Sequence, residues 1–320
     1  MDEFQIIAEI FAPLAGEGAL GLKDDAALIA ARPGFDLVVT TDAIAEGTDF
    51  FAFDPAGMVA RKALRVNLSD LAAKGAVPHG YLLNVALPQS VTPDWLKAFA
   101  AGLALDQAEF GIALLGGDTG RTEGPLGISI TAFGFMPQGR MTRRNGARPG
   151  DDIYVTGTIG DSGGGLAIFR RETHALTESQ RDFLTGRYRL PAPPVAFAPS
   201  LPAFASASVD VSDGLIADLG HLARASGVKL VVDAAAIPRS DALRAFWGDA
   251  AAAILRAATA GDDYQIAFTA SPSNRDAVMT AARGVSVMVT RIGQAEAGEG
   301  VTLQLDGRAL AVPRPGYRHF

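Results

Sequence analysis

The chain has 320 residues and no cysteine, so it can form neither a disulfide nor a thiolate metal site. Histidine is scarce, with four in the whole chain. His79, His174 and His221 have no partner at catalytic spacing, so we expect no catalytic general base of this type. A G-x-x-x-x-G-K-[ST] segment is also absent from the sequence, which excludes a P-loop.

Long apolar runs without a helix breaker are lacking. Residues 190–209 carry no charge but contain five prolines, so they cannot form a membrane-spanning helix. The chain opens with Asp2 and Glu3, whereas a signal peptide begins with basic residues. We therefore expect a cytoplasmic protein with no membrane partner.

An excess of basic residues is missing as well. The net charge of −7 argues against nucleic acid as a partner. An acidic protein can still bind phosphorylated small molecules when divalent cations lie between the two sets of negative charge. A hydrophobic content of 48% with 20% charged residues is typical of a globular protein, and the length is sufficient for two domains.

The apolar pattern predicts two domains, 1–138 and 139–320, separated by the basic, glycine-bearing stretch 139–151. The first is predicted as an α+β domain with strands over 37–41, 81–87, 112–115 and 128–135 and helices over 55–75 and 93–109. The strand over 37–41 is predicted to stop at Asp42. The second is predicted as an α/β domain with strands over 153–155, 209–211, 229–233, 266–269 and 301–305 and helices from 213 to 227 and around 241–260.

Aspartates stand where many of these apolar segments end. They are Asp24, Asp25, Asp42, Asp70, Asp118, Asp210, Asp213, Asp262 and Asp263. Carboxylates that converge from rigid elements repel one another unless a cation lies between them, and oxygen ligands of this kind favour magnesium beside phosphates. Any single aspartate is more often a turn former or helix cap. We assign that structural role to Asp54, and we expect Asp106 on a solvated helix face.

The glycine-rich segment 157–165 (GTIGDSGGG) has two interpretations. Glycines allow backbone amides to approach an anion closely, so the segment could bind phosphate. A strand-to-helix turn with only a structural role is equally consistent with the sequence.

Taken together, these segments resemble the thiamine-monophosphate kinase family, whose superfamily includes aminoimidazole ribonucleotide synthetase, selenophosphate synthetase and a hydrogenase-maturation protein. The resemblance runs nearly end to end. It rests on residues 24–27 (DDAA), 40–42 (TTD) with 46–47 (EG), 67–76 (NLSDLAAKGA), 116–119 (GGDT), 146–151 (GARPGD), 210–215 (DVSDGL), 261–264 (GDDY) and 316–320 (GYRHF).

The resemblance implies an α+β fold of two domains. The sheet of the N-terminal ATP- and magnesium-binding domain would form a homodimer, and the active site would lie in the cleft between the domains. It implies ATP-dependent phosphorylation of thiamine monophosphate to thiamine diphosphate by direct, magnesium-assisted transfer. Several magnesium ions would be held by Asp25, Thr41, Asp42, Asp70, Asp118, Asp210 and Asp213. ATP would contact Gly117, Asp118, Arg144 and Ser212, and thiamine monophosphate would contact Asp49, Asp262 and Tyr317.

Three departures from the family pattern lie mainly on the acceptor side. The family usually has histidine at Asp49, glycine at Lys23, and G-G-E-D-Y-E where residues 260–265 read AGDDYQ. Two alternatives therefore stay open: a related phosphotransferase with another small acceptor, and a non-catalytic regulator that binds ATP and magnesium. The selenophosphate-type reaction is disfavoured because it generally relies on an N-terminal cysteine or selenocysteine.

Overall fold

The computed structural model describes residues 3–317, so residues 318–320 of the closing motif lie outside the described part of the chain. The chain divides into two compact units. The first unit comprises the described residues up to Leu71 together with Ala76–Gly139, and the second comprises Ala72–Gly75 and the described residues from Arg140 onwards. Each unit has its own sheet.

The first unit is built on a four-stranded sheet. Its strands are β1 (Phe35–Ala45), β2 (Val77–Leu87), β3 (Ala113–Arg121) and β4 (Gly127–Pro137). They lie in the order β1-β4-β2-β3, with β2 and β3 parallel and the other neighbours antiparallel. A short helix, α1 (Glu3–Ile6), continues through irregular helical turns to Leu14.

Two long helices lie in this unit, α3 (Pro93–Phe110) and all but the last three residues of α2 (Ala56–Lys74). Thr92 caps the start of α3 by accepting the backbone N–H of Trp95, and Gly111 ends it in the left-handed conformation. Asp106 joins the two helices, because its fully buried carboxylate accepts hydrogen bonds from Arg61 and Arg65 on α2. The predicted solvated position of Asp106 is therefore wrong.

Side chains on β1 alternate between two environments, as the pleat of a strand requires. Val38 and Ile44 are buried, and Thr40 on the same side hydrogen-bonds to Asp70 of α2. Phe35, Leu37 and Val39 point the other way and are 44–54% exposed. We call this second side the open face of the sheet.

Several strands are longer than the sequence predicts, and the extensions of β1 and β3 affect the site. β1 does not stop at Asp42, because β4 pairs with it in unbroken register as far as Ala45. β3 likewise runs through the glycine-rich residues 116–119, because β2 pairs with them up to Arg121. Asp42 and Asp118 therefore lie within strands.

The second unit contains a seven-stranded sheet. Its strands are β5 (Asp152–Thr156), β6 (Ala205–Val211), β7 (Lys229–Asp233), β8 (Gln265–Ala270), β9 (Val289–Glu296), β10 (Gly300–Leu305) and β11 (Arg308–Ala309), in the order β11-β10-β7-β9-β5-β8-β6. Its helices are α4 (Asp161–Phe169), α5 (Glu178–Arg189), α6 (Leu215–Ser226), α7 (Asp241–Trp247), α8 (Ala251–Ala258) and α9 (Arg275–Gly284).

The single helix predicted around 241–260 is instead two helices, α7 and α8. Gly248, with φ 81°, ends the first of them in a conformation that an L residue rarely adopts. The predicted helix from 213 to 227 is confirmed as α6, which ends at Gly227 in the left-handed conformation. In the described residues, 3–317, no helix combines the length and apolar character needed to cross a membrane.

Candidate functional site

Three carboxylates of the first unit lie close together, and we call Asp42, Asp49 and Asp70 the β1 acidic group. Asp42 comes from β1, Asp49 from the loop that follows it, and Asp70 from α2. The Thr40 hydroxyl donates to Asp70, and the backbone N–H of Asp42 donates to Asn67 of α2 at 3.0 Å. β1 and α2 are therefore tied together at this group.

The electrostatics of this group suit a cation. Although Asp42 stays in contact with solvent, surrounding protein atoms and then the charges of Asp70 and Asp49 raise the pKa of its carboxyl to about 7. A divalent cation would remove this repulsion, and the ligands offered are all oxygens. Magnesium therefore fits the donor set of the β1 acidic group.

Asp49 is also held by its own loop. Its Oδ2 accepts the backbone N–H of Ala45 at 2.8 Å, and the buried Lys62 donates to its backbone carbonyl at 2.7 Å. The structure thus places Asp49 beside Asp42, and its predicted contact with thiamine monophosphate stays a prediction.

Asp25 and Asp118 belong to a different place in the first unit. They line a cavity of about 600 Å³ together with Asp24 and Asn84. Asp118 and Asn84 are register partners on β3 and β2. Gly117 precedes Asp118 with φ 152°, and a Cβ atom there would lie 1.8 Å from the carbonyl oxygen of Leu83, so only glycine fits.

The predicted metal ligands of the first unit therefore form two sets. Across the sheet, Asp42 on β1 lies opposite Ile130 on β4, and Ile130 lies opposite Leu83 on β2. Leu83 in turn lies opposite Gly117 on β3, and Asp118 follows Gly117. Three strand spacings separate the two aspartates, or about 14 Å between backbones.

Thr41 lies apart from the β1 acidic group too. It follows Thr40 and so points to the open face, where it donates to the Ile130 carbonyl at 3.1 Å and accepts from Thr131 at 3.2 Å. The sheet of one chain does not bring Asp42, Thr41 and Asp118 to one point.

In the second unit, the turn after β6 carries Ser212 and Asp213. One carboxylate oxygen of Asp218 on α6 accepts the backbone N–H groups of Ser212, Asp213 and Gly214 at 3.0–3.1 Å. Burial and then the charge of Asp213 raise the pKa of Asp218 to about 7, against the opposing effect of these hydrogen bonds. Asp218 therefore fixes the shape of the 212–214 turn.

Two distant segments close around this turn. The backbone N–H of Asp262 donates to the Ser212 carbonyl at 2.7 Å, and that of Tyr317 donates to the Asp213 carbonyl at 2.9 Å. The structure thus brings together four residues to which the sequence resemblance gives ligand-binding roles: Ser212, Asp213, Asp262 and Tyr317. Asp210 lies two residues upstream on β6 and is buried.

Arg144 is anchored elsewhere. Its carbonyl accepts the hydroxyl of Ser226, at the end of α6 opposite to the 212–214 turn. A helix of this length, 12 residues, extends about 18 Å. The backbone of Arg144 is therefore not part of the group around Ser212.

Sequence reasoning missed Asp218 and His221 as neighbours of Asp213 in this site. Ligand atoms of Asp213, Asp218 and His221 lie within 4.8 Å of one another. The signal was available, because Asp218 and His221 are spaced i, i+3 on α6 and so share a helix face.

The glycine-rich segment has a structural partner. The backbone N–H groups of Gly160 and Ser162 donate to the buried carboxylate of Asp263, at 2.6 and 3.3 Å. These amides are therefore already engaged, which favours the structural interpretation over phosphate binding.

Comparison with known proteins gives the family. The AIR synthase related protein family matches with its N-terminal domain over residues 23–136 and with its C-terminal domain over residues 148–306. A protein of Caulobacter vibrioides named thiamine-monophosphate kinase is 42% identical over 99% of this chain and 90% of its own length. The chain belongs to the thiamine-monophosphate kinases of the AIR synthase related protein family.

Solved structures of thiamine-monophosphate kinases share the fold. The enzyme from Stenotrophomonas maltophilia K279a superimposes with a TM-score of 0.86 at 41% identity, covering 97% of this chain and 98% of its own. A second structure, described as AaThiL complexed with AMPPCP and TMP, has a TM-score of 0.80 at 30% identity and covers 99% and 97%. The expected two-domain fold is thereby confirmed.

Proposed function

We propose that this protein transfers the γ-phosphoryl group of ATP to thiamine monophosphate, giving thiamine diphosphate and ADP. The observation that carries the proposal is the full-length match to thiamine-monophosphate kinases, one of which is described in complex with AMPPCP and TMP. The β1 acidic group and the 212–214 turn supply the polar residues that such a reaction needs.

The acceptor needs little activation. A phosphate monoester has its second pKa near 6, so it is already largely deprotonated near neutral pH. The protein then acts by orienting two phosphorylated substrates and by neutralising their charge, and no general base is required. When bound, magnesium ions supply that charge neutralisation.

The residues divide by role. Asp42 and Asp70 of the β1 acidic group would hold magnesium, as would Asp25, Thr41 and Asp118 in the first unit and Asp210 and Asp213 in the second. Gly117, Asp118, Ser212 and Arg144 would contact ATP. Asp49, Asp262 and Tyr317 would contact thiamine monophosphate.

We further propose a homodimer formed through the open face of the first unit. Phe35, Leu37, Val39 and Val77 on this side are 44–54% exposed, and exposed apolar side chains grouped on one face are typical of a protein interface. The separation of Asp42 from Asp118 within one chain supports this proposal, because a second copy on the open face would cover the side that carries Asp118.

The test is product formation by the purified protein. With ATP, magnesium and thiamine monophosphate, we expect ADP and thiamine diphosphate in equal amounts, and neither product after EDTA is added. ADP formation only with a different phosphorylated acceptor would keep the phosphotransferase but reassign its substrate. ATP binding without transfer to any acceptor would favour a regulator.

A further inference from the structure

The segment 260–265 lies between two turns of the second unit. On one side, its backbone N–H groups at Asp262 and Tyr264 donate to the carbonyls of Ser212 and Val211, each at 2.7 Å. These bonds fasten the segment to the end of β6 and the turn that follows it.

On the other side, Asp263 binds the glycine-rich turn and Gln265 binds the end of β5 and Ala192. The carboxylate of Asp263 accepts the N–H groups of Gly160 and Ser162. Gln265 accepts the Thr156 hydroxyl at 2.9 Å and donates to the Ala192 carbonyl at 3.0 Å. The segment is thus fixed by backbone hydrogen bonds on one side and by side-chain hydrogen bonds on the other.

These contacts hold two residues of the segment in an unfavourable backbone conformation. Asp262 and Tyr264 have φ values of 69° and 51°, which L residues other than glycine rarely adopt. Such conformations persist only where the surrounding contacts determine them, and they cluster at functional sites. The Tyr264 hydroxyl donates to the Asp262 carboxylate at 3.2 Å, so the two strained residues also support each other.

We propose that Asp263 is a positioning residue for the phosphate acceptor: by gripping the glycine-rich turn, it holds Asp262 in the conformation that presents its carboxylate to thiamine monophosphate. This inference rests on the proposed function. It gives the glycine-rich turn a role as the rigid support of the acceptor side.

The surroundings of Asp263 are consistent with its role in binding the backbone N–H groups of the glycine-rich turn. The residue is 7% exposed. Burial raises the pKa of its carboxyl well above the ordinary range, with a further contribution from the neighbouring Asp161, while Arg187 acts in the opposite direction. Asp161 has different partners, the hydroxyl groups of Thr158 and Ser240, both at 2.5 Å, and the backbone N–H of Ser240.

The three N–H groups of the 212–214 turn do not depend on Asp263, because Asp218 accepts all of them. Loosening the segment 260–265 should therefore disturb Asp262 more than Ser212. A change at Asp263 is expected to weaken the use of thiamine monophosphate while leaving the use of ATP nearly unchanged.

The decisive variant is Asp263→Asn. Its amide group would set an N–H donor against a backbone N–H donor, which no rotation can relieve. We expect the KM for thiamine monophosphate to rise about tenfold and the KM for ATP to change less than about threefold.

The matched control is Asp161→Asn, which replaces the other carboxyl group of the same buried pair. Its amide oxygen can keep the Ser240 contacts, and its N–H can face the Thr158 hydroxyl, which can turn to accept a hydrogen bond as well as donate one. We expect both KM values to stay within about twofold of the original protein. A rise in the acceptor KM of the same size in both variants would overturn the inference, because the effect would then be general loosening.

A second variant approaches from the other side of the segment. In Gly261→Ala, the new methyl group would lie 2.7 Å from the Ser212 carbonyl oxygen and must push the segment away. We expect the same selective rise in the acceptor KM. Unchanged kinetics here would contradict the idea that the position of the segment sets acceptor binding.

A readout independent of turnover separates this inference from the proposed function. Hydrogen exchange at the Asp262 and Tyr264 amides should accelerate at least about tenfold in Asp263→Asn and stay unchanged in Asp161→Asn. Equal exchange in the two variants would overturn the positioning role even if the protein makes thiamine diphosphate. Failure of the unmodified protein to make that product would overturn the proposed function, and the exchange result would still decide whether Asp263 holds the segment.

Discussion

At the scale of single residues, we expect the β1 acidic group to couple magnesium binding to proton release. Partial burial by surrounding protein atoms, and then the charges of Asp70 and Asp49, raise the pKa of the Asp42 carboxyl to about 7. Below that pH the Asp42 carboxyl holds a proton, which a cation must displace before it can bind. Above it the carboxyl is already ionised.

Magnesium affinity should therefore rise with pH and then level off. Because the folded-state pKa is raised, we expect the dissociation constant to fall about tenfold from pH 5 to pH 6 and to change less than about twofold from pH 8 to pH 9. Calorimetric titration of the nucleotide-free protein measures this. Asp42→Asn should lose most of the dependence, and an equally steep profile in that variant would assign the proton to another group.

Asp70 should be essential for turnover but not for folding. In Asp70→Asn the amide oxygen can still accept the Thr40 hydroxyl, so β1 and α2 stay joined. Loss of the negative charge should lower kcat by about a hundredfold or more. The measurement is the rate of thiamine diphosphate formation, with circular dichroism to verify the fold.

Asp94→Asn is the matched control for Asp70→Asn, because the Asp94 side chain is 94% exposed on α3. It should retain full activity. Near-normal turnover in Asp70→Asn would rule out a metal-binding role for the β1 acidic group.

At the scale of elements, the contact between α2 and α3 depends on a buried ion network. Asp106 has no solvent exposure, and the Arg65 side chain that it pairs with is 5% exposed. In Asp106→Ala two arginines lose their shared carboxylate, so we expect a loss of about 4 kcal/mol in the free energy of unfolding. Urea denaturation followed by circular dichroism measures this.

Glu109→Ala provides the comparison, because Glu109 bonds the same arginines but its side chain is 48% exposed. It should cost about 1 kcal/mol or less. Equal losses in the two variants would mean that burial does not set the strength of this network.

The sequence predicted most helices and strands because their signals are local. Thr92 and Gly111 bound α3, and Gly227 ends α6, each through its own backbone and side-chain chemistry. The ends of β1 and β3 were missed because pairing with neighbouring strands extends them. Strand length is then a property of the sheet, which the local sequence does not show.

The sequence likewise predicted part of the candidate site but not how its residues are arranged. The resemblance identified Ser212, Asp213, Asp262 and Tyr317, whose proximity the structure shows through backbone hydrogen bonds. Asp263 was noted only as one of several aspartates, because its contact with Gly160 spans 103 residues. The division of the aspartates between the two sides of the first sheet follows from strand register, which the sequence does not provide.

At the scale of the whole molecule, the open face should form the contact between two copies. Leu37→Lys combined with Val39→Lys places two charges among exposed apolar side chains of β1, so we expect a monomer by sedimentation velocity, whereas we expect the unmodified protein to be a dimer. Leu105→Lys, at an apolar residue of α3 that is 59% exposed, should leave the dimer intact. A monomeric unmodified protein would contradict the dimer proposal.

ATP labelled in its γ-phosphoryl group shows whether that group passes directly to thiamine monophosphate. We expect the label to appear in thiamine diphosphate, one equivalent for each ADP formed, and we expect EDTA to prevent its appearance. Label found only in inorganic phosphate, or remaining in ATP while thiamine monophosphate is present in excess, would contradict direct transfer.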